Sequence, residues 1–229
     1  MCSPDAYKGT QFKESYFRLV SIQAWRTHIV EANYECNSVG FFKEAHNDAL
    51  ISHLLARQGA WRVALSSLRS CIENVLFCLY YLDHKVEMRL WETGKHKLGF
   101  TEVVNYLSNH PNFNNFNESQ TGIEQIKKEY ALLSKAVHGS AENFRMTKTG
   151  FIEGLNIYSL PDLGAWATRE KLTIASLNKI LIVFFNELLQ GAANSNLRKA
   201  VSIAVPESCY ADIKTNFGVR LRKIEAAAV

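Results

Sequence analysis

The sequence has few of the features that mark secreted or membrane proteins. It contains five cysteines, an odd number without any C-x-x-C pair, so we predict reduced thiols rather than disulfides or a zinc site. The N-terminus lacks a charged segment followed by an apolar one, and no secretory signal is expected. The longest apolar run, 180–185, is too short to span a bilayer. These absences predict a cytoplasmic protein with no membrane partner.

Motifs of the common enzyme classes are also missing. The chain has no glycine-rich phosphate loop, no G-x-S-x-G and no H-E-x-x-H. His46 and His53 lie seven residues apart, whereas two metal ligands on one helix usually lie four apart. We therefore predict no metal site and no cofactor.

Charge of either sign is never concentrated in one segment. No run of five or more like charges occurs, and 26 basic and 22 acidic residues give a net charge of +4. This mild excess permits an RNA or phosphate partner without requiring one. With 47% hydrophobic and 21% charged residues, the 229-residue chain has the balance of a globular domain that can bury a core without crosslinks.

Only four prolines interrupt the chain, and apolar residues recur at helical spacing between them. The pattern predicts an all-α fold, a helical bundle of four to six main helices. Near 146–160, glycines and β-formers predict a short β-hairpin or extended excursion instead. Thr101 and Gly139 are predicted caps. The predicted helices cover about 11–36, 41–82 (two collinear segments or one long hairpin arm, bent at Gly59), 86–92, 100–107, 123–137, 166–189 and 197–203.

Three charged residues interrupt the apolar pattern of the 41–82 stretch. Arg62, Arg69 and Glu73 stand at i, i+7 and i+11, which places them within about 40° of one another on a helix, with Ser66 on the same side. They fit an i,i+4 ion pair on a solvated edge. They equally fit a polar seam inside a bundle, where buried charges must be paired.

A second polar group ends the helix predicted at 123–137. Ser134, Lys135 and His138 are three and four residues apart and can meet on one face. In the last turn the helix dipole favours a protonated His138, which could act as a general acid or base or simply cap the helix. Arg145, just beyond, could contact a phosphate or remain solvated.

Two motifs together resemble the HEPN superfamily of small helical bundles. They are Ser66-x-x-Arg69-x-x-x-Glu73 in an apolar helix and, some sixty residues later, Tyr130-x-x-Leu133-Ser134-x-x-x-His138-Gly139 at a helix end. The resemblance covers about 59–145, with the 166–189 helix as a further member. It implies a HEPN-like core at about 41–190 inside a helical-bundle domain of residues 1–195, followed by a helical appendage at 196–229.

The resemblance implies an effector of a prokaryotic antiviral defence or toxin–antitoxin system, and many members of the superfamily are metal-independent ribonucleases. His138, Arg69 and Glu73 would be catalytic, with His138 as acid and base. Ser134, Lys135, Arg145 and Arg62 would bind the RNA substrate. A homodimer, and a protein partner encoded nearby, are also implied.

The sequence departs from the pattern of catalytic HEPN proteins, in which an arginine precedes the histidine by a few residues on one helix. Here Lys135 stands three residues before His138. Arg89 and His96 have a suitable spacing, but Gly94 lies between them and is predicted to break the helix. The departure motivates an alternative, a catalytically degenerate helical module that binds a protein, nucleotide or RNA partner.

Overall fold

The computed structural model describes residues 9–138, 160–189 and 194–223, and every regular element in these ranges is helical. The all-α prediction is confirmed. Residues 146–159 of the predicted hairpin lie outside the described ranges, and Leu160 begins a helix. The α-helices are α1 (Thr10–Trp25), α2 (Glu31–Asn33), α3 (Val39–Arg57), α4 (Trp61–Asp83), α5 (Lys85–Glu92), α6 (Phe100–Asn109), α7 (Glu118–Thr121), α8 (Ile123–His138), α9 (Leu160–Phe184), α10 (Ser195–Ala204) and α11 (Tyr210–Phe217).

The first helical stretch continues past α1 without a break. A π-helical turn, Arg26–Val30, links α1 to α2, so the stretch predicted at 11–36 ends near Asn33. The wider π turn buries both Ile29 and Val30 completely.

Helices α3 and α4 form an antiparallel hairpin. Gly59 adopts a left-handed φ of 76° in the short connection, a conformation that favours glycine. Asn74 donates a hydrogen bond of 2.8 Å to Asp48, and the rings of Phe41 and Tyr81 stack 5.4 Å apart, so the two helices run side by side. The bend was predicted at the right residue, but of the two alternatives for this stretch, that of two collinear segments is wrong.

Helix α4 lies at the centre of the core. Leu68, Ile72, Leu76 and Leu79 are fully buried, and the helix packs against α3, α8, α9 and α6. Among the described helices α4 has the length and composition of a membrane span, and a buried core helix has the same properties. More than half of that apolar window is buried inside the protein.

The middle of the chain follows the prediction with local differences. Gly99 rather than Thr101 precedes α6, so the predicted Thr101 cap is wrong. The loop predicted after residue 109 leads into an additional short helix, α7. Gly122, which separates α7 from α8, has a φ of 91°, and a Cβ there would lie 2.7 Å from the Ser176 carbonyl oxygen. Glycine at this position therefore lets α8 approach α9 closely.

The described C-terminal segments pack onto the rest of the core. Helix α9 begins six residues before its predicted start, and α10 packs against α1. Leu197 and Val201 of α10 are buried, as are Val219 and Leu221, which follow α11 outside any regular element. Helix α11 was not predicted. The described residues beyond 195 thus contribute to the same apolar core as those before it.

Candidate functional site

Polar residues of α4 and α8 meet in a connected group, here called the α4–α8 seam: Arg69, Glu73, Tyr130 and Ser134. Arg69 donates through Nε to Ser134 Oγ at 3.1 Å and through Nη1 to Glu73 Oε2 at 3.1 Å. Its Nη2 contacts the Tyr130 hydroxyl. That hydroxyl donates to Glu73 Oε1 at 2.7 Å. Each nitrogen of the guanidinium therefore has a partner inside the protein.

Tyr130 is held between two flat groups. The Phe100 ring stacks on one face with centroids 3.6 Å apart, and the Arg69 Cζ lies 4.6 Å from the Tyr130 ring centroid. Burial, reinforced by the neighbouring Glu73 carboxylate, raises the pKa of Tyr130 to about 12. The hydroxyl stays protonated at neutral pH and remains a donor to Glu73.

The seam lies at the rim of the bundle. The Arg69 and Glu73 side chains are each 23% exposed, so they are neither solvated freely nor enclosed in the interior. Each of the two interpretations from the sequence, an i,i+4 ion pair and a polar seam, describes part of the structure. The i,i+4 pair forms, and both of its residues also bond across to α8. The pairing reduces the cost of partial burial for both charges.

Arg62, on the same stripe of α4, contacts a different part of α8. Its Nε donates to the Ala136 carbonyl at 2.9 Å and its Nη2 to the Val137 carbonyl at 2.8 Å. Carbonyls in the last turn of a helix lack intrahelical partners, and a cation there also complements the helix dipole. The predicted substrate ligand Arg62 therefore caps α8 in this structure.

The last turn of α8 presents the remaining predicted site residues. Lys135 and His138 are exposed, while half-buried Ser134 donates to the Tyr130 carbonyl at 2.8 Å. His138 lies one turn beyond Ser134, and among the contacts between described residues none joins it to Arg69 or Glu73. Arg145 and Gly139 lie outside the described residues.

The other histidine patterns do not form a site. Helix α5 ends at Glu92, so Arg89 and His96 do not share a helix, and the His96 ring packs against Tyr80 and Tyr81 instead. Within residues 9–138, 160–189 and 194–223, no group of three His, Cys, Asp or Glu side chains could hold a metal ion.

A buried polar layer between α1, α3 and α9 was not predicted. Arg18 donates through Nε and Nη2 to Glu170 Oε2 at 2.8 and 2.6 Å, and the Ser15 hydroxyl lies 3.0 Å from His53 Nδ1. Burial raises the pKa of Glu170, although Arg18 opposes the change. Burial, with a smaller contribution from nearby arginines, lowers the pKa of His53 to about 4. No local sequence signal links residues 152 positions apart.

Helices α8 and α9 share a second buried carboxylate. Glu129 Oε1 accepts from Arg169 at 2.9 Å and from Gln125 at 2.7 Å. Burial raises the pKa of Glu129 despite these partners. This group faces the core and is separate from the exposed end of α8.

Comparisons of the chain with protein-family models, curated proteins and solved structures give no match. The chemistry of the site is therefore argued from its geometry. Exposed Lys135 and His138 can donate to an anion, whereas Arg62 and Arg69 already donate to groups of the protein.

Proposed function

We propose that this chain is a HEPN-like helical protein of a prokaryotic antiviral defence or toxin–antitoxin system, and that it binds RNA without cleaving it. It would act in the cytoplasm as a homodimer, together with a protein encoded nearby. The supporting observation is that the Arg69 guanidinium already bonds to groups of the protein. Its guanidinium is bonded to Glu73, Tyr130 and Ser134, so it is not available to neutralise a phosphate in a transition state.

Binding would use the exposed end of α8. Lys135 and His138 lie three residues apart on its last turn, and both side chains reach solvent. A lysine attracts the RNA backbone as a point charge, and a protonated histidine adds to that attraction. Because backbone contacts carry no sequence information, we expect weak sequence preference and strong dependence on salt.

The test is to measure binding and cleavage on the same full-length protein. We expect a labelled single-stranded RNA to bind in EDTA and remain intact. Lys135→Ala and His138→Ala should each weaken binding. Lys43→Ala is the matched control, because Lys43 is also exposed but lies near the start of α3, at the other end of the α3–α4 hairpin. Equal loss of binding in all three variants would contradict the proposed site.

A metal-independent ribonuclease is the second candidate, favoured by the exposed His138 beside Lys135 on one helical turn. In that case His138 would transfer the proton and Lys135 would stabilise the phosphate charge. RNA cleavage in EDTA that His138→Ala abolishes would establish this activity and refute the binding-only proposal. If the chain neither binds nor cleaves RNA, both candidates fail.

A further inference from the structure

Helix α5 turns apolar residues toward solvent. Val86 is 65% exposed, Leu90 40% and Trp91 43%, whereas Met88 is the one buried residue among the eight of this helix. A surface helix normally buries its apolar stripe and exposes its polar side. In α5 three of the four apolar side chains are exposed as well as the basic ones, although the helix is anchored to α4 and through Trp91 to Phe41.

The outermost line of α5 is formed by Val86 and Leu90. At about 100° per residue, each lies about 160° around the helix from the buried Met88. Lys85 and Arg89 form a parallel stripe along one side of this line. These four residues are called the α5 surface. Both stripes have a spacing of four residues, so each runs along the helix axis and a partner helix could follow both at once.

The charges of the α5 surface indicate the chemistry of its partner. Neither Lys85 nor Arg89 forms an ion pair within the part of the chain that the structure describes, and exposed Lys95 and Lys97 follow close behind. Glu92, the acidic residue nearest to them on the helix, accepts a hydrogen bond from the Asn37 amide and forms no ion pair with Lys85 or Arg89 among the described residues. The positive stripe therefore complements an acidic partner.

A lipid surface fits these features less well. The apolar line extends over about one turn, from Val86 to Leu90, and Glu87 borders it on the side away from the basic stripe. Interfacial helices bind membranes in proportion to the apolar area that they bury, and an area this small would give marginal attachment. A protein segment needs only to cover two aliphatic side chains and pair two cations.

We propose that the α5 surface docks an acidic amphipathic segment of a partner protein. Apolar residues of that segment cover Val86 and Leu90, and its carboxylates pair with Lys85 and Arg89. This inference goes beyond the RNA-binding function proposed above and does not depend on it. Helix α4 separates the two surfaces, since Arg62 contacts the end of α8 at its first turn and α5 follows its last.

The test selects ligands without assuming a sequence. A displayed library of random dodecapeptides is enriched on the full-length protein and depleted on Leu90→Asp. We expect the recovered peptides to be acidic and to carry apolar residues three or four positions apart. A synthetic copy should bind wild type and lose at least about tenfold in affinity on Val86→Asp or Leu90→Asp, as for a central apolar contact. Lys85→Gln with Arg89→Gln should weaken binding several-fold and reduce its salt dependence.

Two variants serve as controls. Ile51→Asp changes a comparably exposed aliphatic residue on α3, and Lys43→Gln an exposed lysine, so both should leave the affinity unchanged. Leu90→Gln replaces Leu90→Asp if thermal unfolding shows that the charged variant is not folded. The proposal is overturned if no peptide distinguishes wild type from the Leu90 variant, if the recovered peptides are not acidic, or if the controls bind as weakly. Leu90-dependent binding to vesicles of three parts phosphatidylcholine and one part phosphatidylglycerol, without any acidic peptide, would assign the surface to a membrane and overturn it too.

Discussion

Acid should destabilise this protein through His53 well before its carboxylates are fully protonated. His53 is buried between α1 and α9, with its ring beside Phe12 and Trp166 and its Nδ1 beside the Ser15 hydroxyl. Burial lowers its pKa from 6.5 to about 4. Between these values the unfolded chain binds a proton that the folded chain does not. Stability that is present above pH 6.5 is therefore lost as the pH falls toward 4.

The magnitude follows from the size of the pKa change. One pKa unit corresponds to about 1.4 kcal/mol, so the full effect of His53 is about 3 kcal/mol. Integrating the same relation between pH 7 and pH 5 gives a loss of about 2 kcal/mol. Buried Glu129 and Glu170 act in the opposite direction. Their raised pKa values mean that the folded state holds protons more tightly, so they cost stability as the pH rises.

A matched variant isolates the histidine from these carboxylates. His53→Asn keeps an amide near the Nδ1 position, where it can still bond to Ser15, but it cannot titrate. Both proteins are unfolded with urea at pH 7 and at pH 5. Between these pH values the free energy of unfolding of the wild type should fall by about 2 kcal/mol more than that of His53→Asn. If the two proteins lose the same stability between these pH values, His53 is not buried in its neutral form, and the description of this layer is wrong.

Three further outcomes are expected in urea unfolding at neutral pH. Glu73→Ala should cost about 1–2 kcal/mol, less than for a fully enclosed pair because the seam is partly exposed, whereas Glu87→Ala should cost little; equal effects would contradict the seam. Glu170→Gln should lower the free energy of unfolding by about 3 kcal/mol or more, because it leaves the buried charge of Arg18 without a partner. An unchanged free energy of unfolding would contradict the Arg18–Glu170 ion pair. Gly122→Ala should destabilise by about 1–3 kcal/mol, because φ is 91° there and a Cβ would lie 2.7 Å from the Ser176 carbonyl oxygen. Gly40→Ala, in a helix with open space around it, should stabilise by about 0.5–1 kcal/mol. The same sign for both would contradict this description of Gly122.

The sequence could predict what depends on near neighbours along the chain. The apolar stripe through Leu68, Ile72 and Leu76 predicts α4 because helical periodicity is local. The Arg69–Glu73 pair was predictable for the same reason, since residues four apart face one another on a helix.

Contacts between distant segments were not predictable from the same patterns. Arg62 and Arg69 share one stripe of α4, and the sequence therefore places them together. They are seven residues, or about 10 Å, apart along the helix axis, so they meet different levels of α8. One arginine caps the helix and the other joins the seam. The Arg18–Glu170 pair depends in turn on how α1 and α9 pack, which no local spacing encodes.

The structural use of these arginines limits where function can reside. A residue whose donors hold two helices together cannot release them to a ligand without loss of stability, and this applies to Arg62 and Arg69. Among the contacts between described residues, no side-chain hydrogen bond or ion pair of Lys135 or His138 joins two helices. Their replacement by alanine should alter binding while leaving the unfolding midpoint nearly unchanged. If either alanine variant instead lowered stability as much as Glu73→Ala, the end of α8 would also be structural, and the function would have to be sought elsewhere on the molecule.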